Sequence, residues 1–401
     1  MSDATALPTV PRASQRIAAL DGVRGLMALV VVVWHIFLIL SPSIETWMHE
    51  YAGSVGLWWW YLLDPEFLTR GIVVFFLLSG LVVALPAMRP GFSWREYFPS
   101  RLLRLYLPAW AAFVFAIALI VLIPRGTASA GSWLETTNAT HISLDSVLLE
   151  ATLFVPEPKI DNPLWSLGWE VIFSLLLPLY VLLALRTRRH WLWMVGASLA
   201  LTAVGIELGI AALVFLPSFL IGAIAAANLD RVRSAAAVLS RSRFHTLWWS
   251  LVFAGSTVAV FGYRVTESMQ LVKPFTLVNH VLESSSVLGY AGFVFLTIGC
   301  ASAGRAFGSA LAQWFGGISF SLYVIHAPIL VTLAFVLGPN EWWIILLGLP
   351  LSVLAAAVFA RFVERPAHRL AKRVGRRARR PVVLPERSSL GIGREAPAEA
   401  A

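Results

Sequence analysis

Ten stretches of roughly 16 to 24 mostly apolar residues run through this chain, at 18–41, 70–88, 104–123, 164–185, 191–206, 210–227, 246–263, 286–301, 315–337 and 342–361. A helix needs about 20 such residues to cross the hydrocarbon of a bilayer. Inside lipid, every backbone polar group must be satisfied within the structure itself. The pattern therefore predicts an all-α polytopic membrane protein of about ten transmembrane helices. Composition agrees: 58% of residues are hydrophobic and 13% charged, with a mean hydropathy of +0.76. Soluble folds, disordered chains and secreted disulfide scaffolds are excluded at this point. The single cysteine, Cys300, permits neither an intrachain disulfide nor a cysteine-based zinc cluster.

Charge placement tests the count. With both termini in the cytoplasm, the inner segments carry 26 of the 31 Lys and Arg residues and the outer segments five. That is the asymmetry of the positive-inside rule, and adding or removing one span would invert every later loop. The net charge of +9 is thus a matter of topology and calls for no nucleic acid. The expected organisation is a cytoplasmic segment 1–17, a membrane domain 18–361, and a basic, disordered cytoplasmic tail 362–401. The aromatic run Leu57 to Tyr61 is too short to span and reads as an interfacial belt. The outer segments 42–69 and 124–163 lean acidic, and the second holds the sequon Asn138-Ala139-Thr140.

Ionisable groups inside spans are costly and tend to mark function. Arg24 and His35 lie eleven residues apart on the first span, 20° past three full turns. They share one helix face, separated by about 16 Å along the axis. The plainer reading is an interfacial arginine snorkelling to headgroups and a histidine bonded to a neighbouring helix. Arg101 and Arg104 form an i, i+3 pair before the third span, suited to phosphate or to simple anchoring. Glu170 interrupts the apolar fourth span, where it would orient a histidine of another helix or partner a Trp or Ser. On the ninth span, Ser319, Tyr323 and His326 fall at helical spacing, offering either a general-base pocket or a packed core histidine.

Taken in order, these segments resemble the integral-membrane acyltransferase family 3. The matching pieces are Leu20-Asp-Gly-Val-Arg24-Gly25 followed by His35, Phe75-Phe-Leu-Leu-Ser79-Gly80, Arg101-x-x-Arg104, Trp165-Ser-Leu-x-x-Glu170, Ser319-x-Ser-Leu-Tyr323-x-x-His326-x-Pro328, and Val363-Glu364-x-Pro366. They run through residues 17–366. The aromatic-Tyr-Leu usual after the glutamate is here Phe173-Ser174-Leu175, a departure that leaves Glu170 in register.

The resemblance implies a plasma-membrane O-acyltransferase. It moves an acyl group, commonly acetyl, from cytoplasmic acyl-CoA as co-substrate to a hydroxyl of a carbohydrate or natural product. Neither a metal nor a permanently bound cofactor is expected. On this reading Arg24, Arg101 and Arg104 hold the CoA phosphates. His35 is the general base, with Glu170, Tyr323 and His326 completing the catalytic group. A stand-alone member without a C-terminal extracytoplasmic domain is expected, so the acceptor is handled by the membrane domain or by a separate partner protein. The alternatives are a proton-coupled secondary transporter of a small polar solute and a glycosyltransferase using a lipid-linked sugar.

Overall fold

The computed structural model describes residues 13–48, 50, 71–126, 132–137, 139, 142–269, 271 and 276–379. The belt at 57–61 and the sequon residues Asn138 and Thr140 lie outside these residues, as do 1–12 and 380–401. Among the described residues the chain is helical with no strand. In order, the helices are α1 (Ala13–Trp47), α2 (Ile72–Ala87), α3 (Trp94–Leu122), the short α4 (Trp133–Thr137) and α5 (Leu144–Glu150), then α6 (Trp165–Arg186), α7 (Trp191–Leu208) and α8 (Ala211–Ala227). There follow α9 (Leu229–Arg241), α10 (His245–Ser268), α11 (Leu277–Ser284), α12 (Ser286–Gly299), α13 (Ala301–Phe307), α14 (Ala310–Leu337), α15 (Ile344–Phe359) and α16 (Arg365–Arg379).

Each of the ten apolar stretches falls on a helix. Eight helical segments are long and apolar enough to cross a bilayer by length and composition. The other two are α2, of 16 residues, and α8, which turns by 75° into α9. At that bend Asn228 folds its side-chain amide back onto Ile224 O at 3.0 Å and accepts from Arg231 at 3.0 Å. The first span runs further than expected, since α1 continues to Trp47.

Helix contacts follow the logic of lipid, where apolar surface facing outward carries no penalty and small residues set the close crossings. Leu192, Trp193, Leu201 and Val258 on α7 and α10 are exposed, as lipid-facing residues are. The interior is joined by stacked rings: Phe219 of α8 lies 4.5 Å from Phe76 of α2 and 4.4 Å from Phe173 of α6. Where α2 crosses α8, a Cβ on Gly80 would meet Phe219 O at 2.1 Å, and one on Gly222 would meet Leu77 O at 2.2 Å.

The tail expectation is corrected in part. The helix of α15 passes through a π-helical turn, Ala360–Glu364, and runs on as α16 to Arg379. Ala367, Ala371 and Gly375 are buried, at i, i+4 and i+8, and form a stripe against α3. The approach is close enough that a Cβ on Gly375 would come 2.7 Å from Glu96 O. Arg379 then reaches Glu96 at 3.5 Å. An arginine-rich composition concealed an ordinary packed helix face.

Candidate active site

The Leu-Asp-Gly-Val-Arg-Gly opening sets how closely α1 meets α14. A Cβ on Gly25 would lie 2.5 Å from Gly316 N, and one on Gly316 would lie 2.4 Å from Asp21 O. With no side chains in the crossing, the two backbones touch. Further along the same pair, His35 of α1 meets His326 of α14, with Nδ1 and Nε2 3.2 Å apart. The rings are 4.6 Å apart at 76°, and the residues are 4% and 0% exposed.

The carbonyls around this dyad fix its tautomers. His326 Nδ1 faces Tyr323 O at 2.8 Å and Leu322 O at 3.0 Å, so it carries a proton and donates. In the neutral ring, His326 Nε2 is then an acceptor. His35 Nδ1 also faces a carbonyl, Val31 O at 2.9 Å, and donates both there and to His326 Nε2. The lone pair of His35 is left on Nε2. His326 thus holds His35 in the tautomer whose lone pair lies on Nε2.

Beside the dyad, Tyr323 stands with its ring 6.0 Å from His326. Its hydroxyl donates to Pro163 O at 3.2 Å and shares a 2.6 Å bond with the Ser166 hydroxyl. Tyr323 and Ser166 line one end of a cavity of about 570 Å³. The other walls carry Arg24, Arg101, Arg104, Glu170, Glu364, His368 and Arg379. His35 and His326 do not line it; His326 packs beside the ring of Tyr323, which does. Trp133 of α4 packs on the dyad too, its ring 5.3 Å from His35.

The arginine pair does not act as a unit. Arg101 is committed to protein partners: Glu170 Oε2 at 2.7 Å, Ser79 Oγ at 3.2 Å and, through Nε, Ser174 Oγ at 3.1 Å. Glu170 also accepts from Ser79 at 2.8 Å and reaches neither histidine. Its role as the orienter of a histidine is therefore corrected. Ser79 adjoins the Gly80–Gly222 crossing, and Ser174, the departure from the usual motif, supplies the third ligand of Arg101. Arg24 has Asp21 at 3.4 Å with 37% of its side chain exposed. Arg104 has neither an ion pair nor a hydrogen bond among the described residues and opens into the cavity. Arg104 and Arg24 both line the cavity, where guanidinium groups are suited to hold an anion.

The motif Val363-Glu364-x-Pro366 carries Glu364 without a role, and His368 and Arg379 went unread in the sequence. Glu364, in the π-helical turn, accepts from the buried Ser321 hydroxyl and has His368 at 3.8 Å. π-Helical turns gather at functional sites. His368 and Arg379 share a face of α16, eleven residues apart, the same offset that placed Arg24 and His35 together. Among the described residues no group of His, Cys, Asp and Glu is arranged to hold a metal.

Outside the spans, two buried carboxyls pack together. Glu150 accepts from the backbone N–H groups of Lys159 and Ile160 at 3.0 and 2.9 Å, and burial raises its pKa. Asp161 is 1% exposed and neither carboxyl oxygen has a hydrogen-bond partner among the described residues. Burial, with Glu150 adding to it, raises the Asp161 pKa well above the usual carboxylate range.

The family model of an acyltransferase domain matches residues 17–361. No curated protein and no solved structure matches the chain. The match takes in α1 to α15, the histidine dyad and all the cavity residues before Glu364. The family assignment displaces the transporter and glycosyltransferase alternatives. A ten-stretch membrane helix bundle, with two buried histidines beyond an arginine-lined cavity, belongs to acyltransferase family 3 and is an acyltransferase.

Proposed function

We propose that this acyltransferase takes its acyl group, acetyl in the simplest case, from acyl-CoA and passes it to a hydroxyl of a carbohydrate or natural product. The observation that carries the reading is the alignment of three features along α1 and α14: a cationic cavity, the Tyr323–Ser166 pair at its end, and the His35–His326 dyad behind that pair. The cavity's basic rim belongs to the cytoplasmic side, and both termini lie there, in accord with the charge asymmetry. The plasma membrane is the site of action.

Arg104 and Arg24 hold the phosphates, and the pantetheine arm runs inward toward Tyr323. Arg101 and Glu170 form the wall it passes. His35 Nε2 takes the proton of the acceptor hydroxyl as its oxygen attacks the thioester carbon, then returns that proton to the departing thiolate. His326 keeps the lone pair on Nε2 throughout. A covalent acyl-histidine relay remains the competing route through the same nitrogen.

The test is purified protein in lipid nanodiscs given radiolabelled acetyl-CoA and extracted cell glycans and metabolites. His35→Ala should insert normally and form no acylated product. Normal turnover in that variant would overturn the base assignment, and solute uptake without acyl transfer would overturn the donor.

A further inference from the structure

One polar group beside the dyad stands alone. Trp34 precedes His35 on α1, is 8% exposed, and its ring lies 4.5 Å from the imidazole at 65°. Its Nε1–H is buried with no hydrogen-bond partner among the described residues. An indole nitrogen can only donate. Leaving such a donor dry is unfavourable, and buried orphan donors are uncommon enough to need a cause. Phenylalanine would fill nearly the same apolar space without that cost.

A donor that waits for charge present only during the reaction has this appearance. Hydrogen-bond donors that act on a transition state are preorganised and need no partner in the resting enzyme. The neighbouring imidazole presents its lone pair on Nε2, so a proton acceptor and an unpartnered donor sit on adjacent residues of one helix, with their rings 4.5 Å apart. Trp34, His35 and His326 are all buried, where a single donor stabilises developing charge more than it would in water.

We infer that Trp34 is a catalytic residue whose indole N–H stabilises the oxyanion formed on the acyl carbonyl. The inference rests on the reading of His35 as base. In the step, the acceptor O–H bond breaks and its proton goes to His35 Nε2. The freed oxygen bonds to the carbonyl carbon, and the carbonyl electron pair moves to oxygen, where Trp34 donates. On collapse the C=O bond re-forms, the C–S bond breaks, and the thiolate takes the proton from His35. Donor thioester and acceptor alcohol supply every atom.

The decisive variant replaces residue 34 alone with β-(3-benzothienyl)alanine, which keeps the bicyclic shape and puts sulfur where the N–H was. Trp34→Phe is the genetic counterpart, and 5-fluorotryptophan at the same position keeps the donor. Loss of one oxyanion donor lowers kcat by about 10² to 10³. The expectation is a fall of about 100-fold in kcat for both N–H-deleted forms. KM for acetyl-CoA and acceptor should stay within about threefold, and the fluorinated form should remain near wild type. Wild-type kcat in the benzothienyl form, or a loss confined to KM, would overturn the inference. His35→Ala is run in parallel. If it retains turnover, the base reading has failed; if it is inactive while the benzothienyl form is fully active, only the role of Trp34 has.

Discussion

The Arg101 guanidinium meets the Glu170 carboxylate at 2.7 Å, with side-chain exposures of 20% and 14%. This contact divides two arginines that the sequence presents as a pair. Arg101 is tied into the wall of the cavity by Glu170, Ser79 and Ser174, which leaves Arg104 as the cation open to a ligand.

Breaking the wall pair should be worse than removing it. Truncating one partner leaves the other charge poorly solvated, at a cost of about 3 kcal/mol or more, whereas replacing both with apolar residues of similar size is often close to neutral. Arg101→Met and Glu170→Met are each expected to lower thermal stability in detergent, and the double variant to recover most of the loss. Additive losses would show that the two residues do not interact energetically.

Arg104→Ala should act on ligand binding and leave the fold alone. A charge-assisted hydrogen bond is worth about 1.5–3 kcal/mol, so KM for acyl-CoA is expected to rise about 10-fold or more with kcat little changed. The effect should diminish as salt is added, because the contact is open to solvent. An unchanged KM would make Arg104 a topological anchor only.

The α1–α14 crossing gives a steric prediction with its own control. Gly25→Ala places a methyl group 2.5 Å from Gly316 N, so the helices must part. Overpacking of this kind costs about 1–3 kcal/mol, and it should also pull His35 away from His326 and reduce kcat. Gly196→Ala on α7 meets nothing within 4 Å. It should be neutral or slightly stabilising, since alanine is the better helix former by about 0.5–1 kcal/mol. Equal melting temperatures for the two variants would contradict the crossing.

Asp161 predicts a pH dependence. Its folded pKa is raised by burial above the unfolded value of about 3.9, so the folded state holds the proton more tightly. Its stabilising contribution is complete below about pH 4 and is lost as pH rises through the folded pKa. Asp161→Asn should therefore melt higher than wild type at neutral pH, the difference shrinking as pH falls toward 4. A variant less stable than wild type at pH 7 would mean that the ionised carboxylate has a partner.

How much of this could be read from the sequence follows from what periodicity encodes. Hydropathy gave all ten helical stretches, because lipid demands length and apolarity and little else. Helix arithmetic put Arg24 and His35 on one face, and both do face α14 or the cavity beside it. Which helix each face meets is another matter. It depends on crossings such as Gly25–Gly316 and Gly80–Gly222, where the informative atom is a missing one, so the partners of Glu170 and His326 could not be assigned. His368 and Arg379 were lost because composition was weighed above pattern in α16, while Glu364 stood in the Val363-Glu364-x-Pro366 motif without a role. The small residues Ala367, Ala371 and Gly375, four apart, were the available signal.

From Ile344 to Arg379 the chain is one helical segment of 36 residues. At 1.5 Å per residue it measures about 54 Å, against a hydrocarbon thickness of about 30 Å. Even with some tilt, about a third of that rod stands clear of the acyl chains, and α3 is fastened along it. The rim formed by His368, Arg379 and Glu96 lies along this projecting part of the rod, so the acyl-CoA proposed above would reach it without partitioning into oil.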